Sequence, residues 1–409
     1  MTSREGVVTF DPLRSPSFAA LWFAQVASRF SDPITLIALA YVGYVQTRSA
    51  LITALAVVIA TVPNALFGIF GGAIADAIGH RRVMIACDLG RVLFVGAVPI
   101  VLGLGFPLVV AYILVFAAAV CGAIFNPARL ALVPRIVNPR DLSAANSVIY
   151  SSDRTVEVLG AVAAGLLVAS IGDRAFYIDA LSFLVSGVFL WRIRLDEDAR
   201  PLSVRSIGQE SLEGFQFLWR HAVLRANTLF SLACQLSIPV VSSLAPSLIF
   251  RRFAGGNVEL GASLFGVAEA SIAAGAVLGG IYLGPRLGHL PKGRLILGGF
   301  AIYGVVLVAL ALAPTFELAA LLFVIGGIAN VVFYVPNVTL SQELAPPQLR
   351  ARVFGARIAL LNLSWLPVIV LSGALADAFD VAFLIMVAGA VTLVSAVIGA
   401  FIPIIRDVP

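Results

Sequence analysis

The run Phe18 to Tyr44 reads FAALWFAQVASRFSDPITLIALAYVGY and sets an arginine and a carboxylate, Arg29 and Asp32, three residues apart inside an apolar stretch. As a membrane helix rising about 1.5 Å per residue, it places Asp32 roughly 20 Å in from Phe18. That is beyond the middle of a hydrocarbon layer about 30 Å thick. Gln25, Arg29, Asp32 and Leu36 recur at helical spacing, so the polar groups share one face. A charge at that depth costs at least about 2.5–3.5 kcal/mol, so this face is expected to meet a partner or a wet cavity.

The rest of the chain has the same character. Its 409 residues are 60% hydrophobic and 12% charged, with a mean hydropathy of +1.02. Soluble domains carry about 25% charged residues, so the composition is that of an integral membrane protein. Only helices and closed barrels satisfy their backbone in lipid, and the apolar runs are continuous rather than alternating. The expected fold class is therefore all-α and polytopic, with twelve transmembrane helices. They are read at 18–45, 50–74, 83–104, 108–127, 147–170, 175–193, 226–250, 260–283, 295–313, 317–338, 354–375 and 381–404. A polar stretch with Asp196-Glu197-Asp198 and several arginines separates a six-helix half at 1–193 from a second at 223–409. Within that linker, 194–222, the segment 211–219 reads as an amphipathic surface helix.

Most arginines fall on segments that are cytoplasmic if the N-terminus is inside, against Arg48, Arg174, Arg251 and Arg252 on the other face. Both termini are therefore expected in the cytoplasm, with the chain multi-pass in the cell membrane. The basic residues sit in short loops between spans, which argues against a nucleic-acid partner. Cys87, Cys121 and Cys234 lie in expected helices without metal-like spacing and read as inert thiols. The first apolar run is too long for a cleavable signal and has no small-residue cleavage site. Lys292 lies in Leu290-Pro291-Lys292-Gly293, which is no phosphate loop, and His80, His221 and His289 are scattered. No catalytic constellation, cofactor or metal site is expected.

The two halves echo each other. Gly71-Gly72 then Gly79-His80 is matched by Gly279-Gly280 then Gly288-His289, and Asn126-Pro127 by Pro336-Asn337. Span one has Gln25, Ser28 and Pro33, and span seven has Gln235, Ser237 and Pro239. Proline-interrupted spans in corresponding positions point to a transporter's central site. Gly68-x-x-x-Gly72 and Gly275-x-x-x-Gly279 read as helix-packing notches.

The loop Gly72-Ala73-Ile74-Ala75-Asp76-Ala77-Ile78-Gly79-His80-Arg81-Arg82 resembles the signature between the second and third helices of the major facilitator superfamily. Ala77 and His80 depart from the usual pattern. The resemblance implies a gating element in which Gly72 permits close helix approach, Asp76 pairs or caps, Gly79 turns, and Arg81 and Arg82 hold the loop at the membrane surface. Phe18-Ala19-Ala20-Leu21-Trp22, Asn126-Pro127-Ala128-Arg129, Ala175-Phe176-Tyr177-Ile178-Asp179-Ala180 and Leu349-Arg350-Ala351-Arg352 are similar to the drug:proton antiporter branch that holds macrolide-efflux and enterobactin-exporter proteins. The fold so implied has a central cavity between two six-helix halves. The implied function is proton-coupled secondary transport, exporting hydrophobic or amphipathic compounds such as drugs or siderophores. Its partners are a small-molecule substrate, protons and the bilayer, and the chain is expected to work as a monomer.

Asp32 is the leading candidate for loading and releasing a proton, with Arg29 tuning it; a standing Arg29–Asp32 ion pair that orders the first helix is the competing reading. Glu269 has no basic residue within helical reach and is a candidate for proton coupling or cation recognition. Asp88 with Arg91, and Arg154 with Glu157, are spaced i,i+3 and read as structural charge networks near helix ends. Gln25, Gln235, Asn330, Tyr334, Asn362 and Trp365 are candidates to line a substrate cavity. Two rival functions share these residues: import of a nutrient or metabolite on the same fold, and a membrane lipid- or ligand-binding protein that transports nothing.

Overall fold

A computed structural model describes residues 11–47, 50–195, 204–255, 257–284, 290–376 and 378–408. Arg48, Asp196-Glu197-Asp198 and Gly288-His289, used above for orientation, linker and repeat, lie outside them. Among the described residues there is no strand. The helices are α1 (Pro16–Thr47), α2 (Ala50–Ile78), α3 (His80–Gly103), α4 (Leu108–Ile136), α5 (Leu142–Ile171) and α6 (Ala175–Trp191). After α7 (Val204–Arg220) come α8 (Ala222–Gln235), α9 (Ser237–Leu248), α10 (Val258–Tyr282), α11 (Lys292–Leu312), α12 (Phe316–Leu344), α13 (Arg350–Leu375) and α14 (Val381–Ala400).

Local chemistry explains where these helices start and turn. Asn257, Thr315 and Asp380 each accept a hydrogen bond from the backbone N–H three residues on, at 3.0, 3.4 and 3.1 Å, and so begin α10, α12 and α14. Between α2 and α3 the chain reverses at Gly79, whose φ of 101° an L side chain rarely adopts. Nine helical segments among the described residues are long and apolar enough to cross a membrane. One of them, Pro139–Trp191, is two helices, α5 and α6, joined by the tight turn Gly172–Arg174. The segment containing Arg29 and Asp32 is not among the nine, because those charges with Gln25, Ser28 and Ser31 lower its hydropathy.

The sequence led us to expect proline breaks in both span one and span seven, and the structure has only the second. α1 runs unbroken through Pro33. Its neighbours α5 and α6 pack along it, and such support lets a membrane helix tolerate a missing backbone donor. Span seven is divided at Leu236 into α8 and α9. Pro239 then falls in the first turn of α9, where the absent N–H has no helical acceptor to lose.

Phe18, Leu21, Met84, Leu132 and Leu190 form one core among α1, α3, α4 and α6. Phe230, Phe300, Phe333 and Ile385 form another among α8, α11, α12 and α14. The two groups of helices meet where α2 lies on α13 and α5 lies on α10. Glycine makes the first meeting close: a side chain at Gly72 would run into the Ala351 carbonyl, and one at Gly355 into the Gly68 carbonyl. Gly275 lies against Val324 and Gly327 of α12 in the same way.

Candidate functional site

Three polar places interrupt the apolar interior. The first is a cavity of about 240 Å³ between the two helix groups. α5 contributes Tyr150 and Arg154, α8 Gln235, α10 Phe265 and Glu269, α12 Asn330, Phe333 and Tyr334, and α13 Trp365. Its walls are aromatic: the Tyr150 and Tyr334 rings lie 4.7 Å apart across the boundary between the groups. The Trp365 indole N–H is buried and has no hydrogen-bond partner among the described residues, so it is a donor a guest could use. The Asn330 amide N–H₂ is committed to the Gly326 carbonyl at 3.0 Å.

The charges in this cavity come from opposite sides. Arg154 is 2.9 Å from Glu157 and lies over the Tyr150 ring at 5.7 Å. Glu269, from α10, is within electrostatic reach of both. Sequence spacing paired Arg154 with Glu157 but set them near a helix end; Arg154 in fact stands twelve residues inside α5 and lines the cavity. Of the residues proposed for a substrate cavity, Gln235, Asn330, Tyr334 and Trp365 surround this space, while Gln25 and Asn362 do not. Gln25 is buried elsewhere, its side-chain oxygen accepting from Arg129 at 3.0 Å, and Arg129 also meets Asp153 at 3.0 Å.

The second place is a chamber of about 220 Å³ inside the α1–α6 group. Arg29 donates to Asp32 at 3.2 Å and to the Asn126 side chain at 3.3 Å. Arg91 lies 3.8 Å from Asp88 and is sandwiched between the Phe125 and Phe183 rings at 5.2 and 4.9 Å. Asp88 is fully buried and accepts from the Ser186 hydroxyl at 2.7 Å. Asp179, from α6, also lines the chamber, is fully buried, and accepts from the Thr35 hydroxyl. Sequence reasoning used Asp179 only as part of a family-like stretch. Its signal was available, for an acid inside an apolar run is itself a functional marker.

The third is the end of the bundle that carries the 72–82 loop. Asp76 accepts from Arg352 of α13 at 2.8 Å and lies 3.4 Å from His80. The same guanidinium meets Glu210 and Glu213 of α7 at 2.6 and 2.8 Å. Arg81 donates to the Ile193 carbonyl, and Arg82 is exposed. Nearby, Asn146 donates to Gln342 at 2.6 Å and Thr339 at 3.0 Å, and Gln342 donates to the Leu130 carbonyl at 3.0 Å. These contacts join the two helix groups and close this end. Sequence reasoning met Arg352 only in a family-like stretch and Glu213 only in an amphipathic segment, and tied neither them nor Glu210 to Asp76, because each is distant from it in the chain.

Known proteins share both sequence and architecture with this chain. The profile described as Major Facilitator Superfamily matches residues 21–367. The multidrug efflux pump Tap of Mycolicibacterium fortuitum is 28% identical over 94% of this chain and 95% of its own length. Macrolide efflux protein A of Streptococcus pyogenes is 24% identical over 95% and 96%. Among solved structures, the human organic anion transporter MFSD10 superposes with a TM-score of 0.73 at 13% identity, covering 95% of this chain and 99% of that one. A bacterial homologue of the iron transporter ferroportin, in an outward-facing state, gives 0.73 at 15% identity, covering 93% and 98%. At those identities the structures speak for the fold alone.

Proposed function

This chain belongs to the Major Facilitator Superfamily, and we propose that it is a proton-coupled exporter of hydrophobic or amphipathic small molecules. It is a multi-pass membrane transporter and not an enzyme. On our reading α1–α6 form one six-helix half, and α8 to α14 form the other, with α8 and α9 together counting as one of twelve spans. The halves rock about the central cavity, exposing it alternately to the two sides of the cell membrane. We take the end closed by Asp76, Arg352 and α7 as the cytoplasmic one, and the chain as a monomer.

The observation that carries this reading is the central cavity, an aromatic space whose few polar groups come from both halves. Such a lining suits a guest with apolar surface and one or two polar or charged groups. The efflux pumps named above support the direction and the compound class. Arg29, Asp32 and Glu269 are the groups we assign to proton coupling, Asp32 exchanging its proton through the wet face of α1 and Arg29 restraining it.

The test is flux in proteoliposomes under an imposed proton gradient, with a panel of macrolides and lipophilic dyes. Wild type is expected to move at least one of them faster with the gradient, and Asp32→Asn to lose that dependence. Absence of flux and of gradient dissipation across the whole panel counts against transport. A gradient-dependent rate that survives in Asp32→Asn removes this residue from the coupling.

A further inference from the structure

We propose that Asp179 is a proton-binding site of the transport cycle, storing the proton that Asp32 relays between it and water. The inference rests on the proton-coupled reading above and assigns a residue to it.

Charge counting inside the chamber leads there. Two acids, Asp32 of α1 and Asp179 of α6, line the space with two cations, Arg29 and Arg91, and a third acid, Asp88 of α3, stands beside Arg91. Arg29 is engaged by Asp32 and Arg91 by Asp88. From α5, Asp153, Arg154 and Glu157 act on Arg29 at longer range, but they are matched already: Asp153 with Arg129, and Glu157 with Arg154. α2 and α4 present the neutral amides of Asn64 and Asn126, and the Cys87 and Cys121 thiols lie next to each other beside Arg91. Among the described residues Asp179 is therefore the acid with no cation in ion-pair contact; Arg91 and the Asp32 carboxylate reach it only at longer range.

Asp179 is also the acid whose surroundings fit a neutral carboxyl best. One oxygen accepts from the Thr35 hydroxyl, and the other is buried with no hydrogen-bond partner among the described residues. The Ser31 hydroxyl also stands beside this carboxyl; it bonds Ser182, which donates to the Asp179 backbone carbonyl at 2.7 Å. An ionised carboxylate held only by hydroxyls, with no cation in contact, is expensive in such a place, and a protonated one is not. The proton has a route, because the Arg29 and Asp32 side chains in the same chamber are 33% and 39% exposed. In the step proposed, a proton leaves water for the Asp32 carboxylate and passes to the Asp179 carboxylate; the reverse transfer to the other side empties the site.

The infrared carbonyl stretch of a protonated carboxyl reads this without any substrate. Full-length protein in nanodiscs, titrated from acid to alkaline pH, is expected to show a titrating band that Asp179→Asn removes and Asp32→Asn retains. Thr35→Val keeps the band but shifts its frequency, since it removes the hydrogen bond to that carboxyl. A band that survives in Asp179→Asn, or one that Thr35→Val leaves unmoved, overturns the proposal. Proteoliposomes with ethidium as the probe separate this from the transport reading. If wild type is gradient-driven and Asp179→Asn is equally so, the inference fails and the exporter stands; if the band behaves as stated while no gradient drives wild type, the coupling reading fails instead.

Discussion

Glu269 lies in an aromatic wall with Arg154 within electrostatic reach, and that cation already sits 2.9 Å from Glu157. A cationic guest therefore meets an acid whose nearest counter-charge is engaged elsewhere. A hydrogen bond to a charged group contributes about 1.5–3 kcal/mol, so Glu269→Gln is expected to weaken a cationic dye roughly ten-fold or more. Binding of a neutral probe of similar size should change little. Equilibrium binding of the two probes to purified protein checks this, and equal losses for both would show a collapsed cavity instead of a lost charge. Such residues are half-legible in sequence. An acid in an apolar run announces itself, as Glu269 and Asp32 do, and the i,i+3 spacing of Arg29 and Asp32 is met by a 3.2 Å ion pair. What α10 faces across the cavity is a tertiary fact, and nothing near position 269 points to Arg154.

At the level of elements, one guanidinium gathers three helices at the closed end. Arg352 is buried and joins Asp76 at the end of α2 to Glu210 and Glu213 of α7, so one side chain ion-pairs α13 to both α2 and α7. Removing one member of a buried ion pair costs about 3–5 kcal/mol because the other charge stays behind unpaired. Opening this end hydrates Asp76, so Arg352→Gln is expected to shift the population toward the open arrangement. Distance measurements between spin labels on α2 and α13 should show the longer separation gaining, and an unchanged distribution would remove Arg352 from gating. Gly72→Val probes the same contact sterically, since its side chain collides with the Ala351 carbonyl, and it should depress flux while the protein still inserts. The family-like loop made Gly72, Asp76 and Gly79 visible in the sequence. It did not reveal that an amphipathic helix in the linker supplies two of the acids, because amphipathicity says which face is apolar and not what that face docks against.

For the whole molecule, the sequence yields the helices far better than their relations. Continuous apolar runs are enough to identify membrane spans, because lipid leaves the backbone so few alternatives. The contacts that decide which side is shut are few and polar, scattered over residues with no shared periodicity: Asn146 with Gln342 and Thr339, Gln342 with Leu130, Arg352 with Asp76. They predict how the molecule responds when its two helix groups are tied together. Asn146 and Gln342 lie at the ends of α5 and α12, with side chains 2.6 Å apart. In a background with Cys87, Cys121 and Cys234 replaced by serine, Asn146→Cys with Gln342→Cys and a short thiol-cleavable cross-linker should hold this end closed. Rocking of rigid halves requires that end to part, so the cross-linked protein is expected to lose gradient-driven flux and regain it on reduction. Substrate added from the opposite side should still bind, since the central cavity lies beyond the tied contact. Full flux in the cross-linked protein would mean that the groups do not separate there, and the alternating motion would then have to be sought within one group of helices.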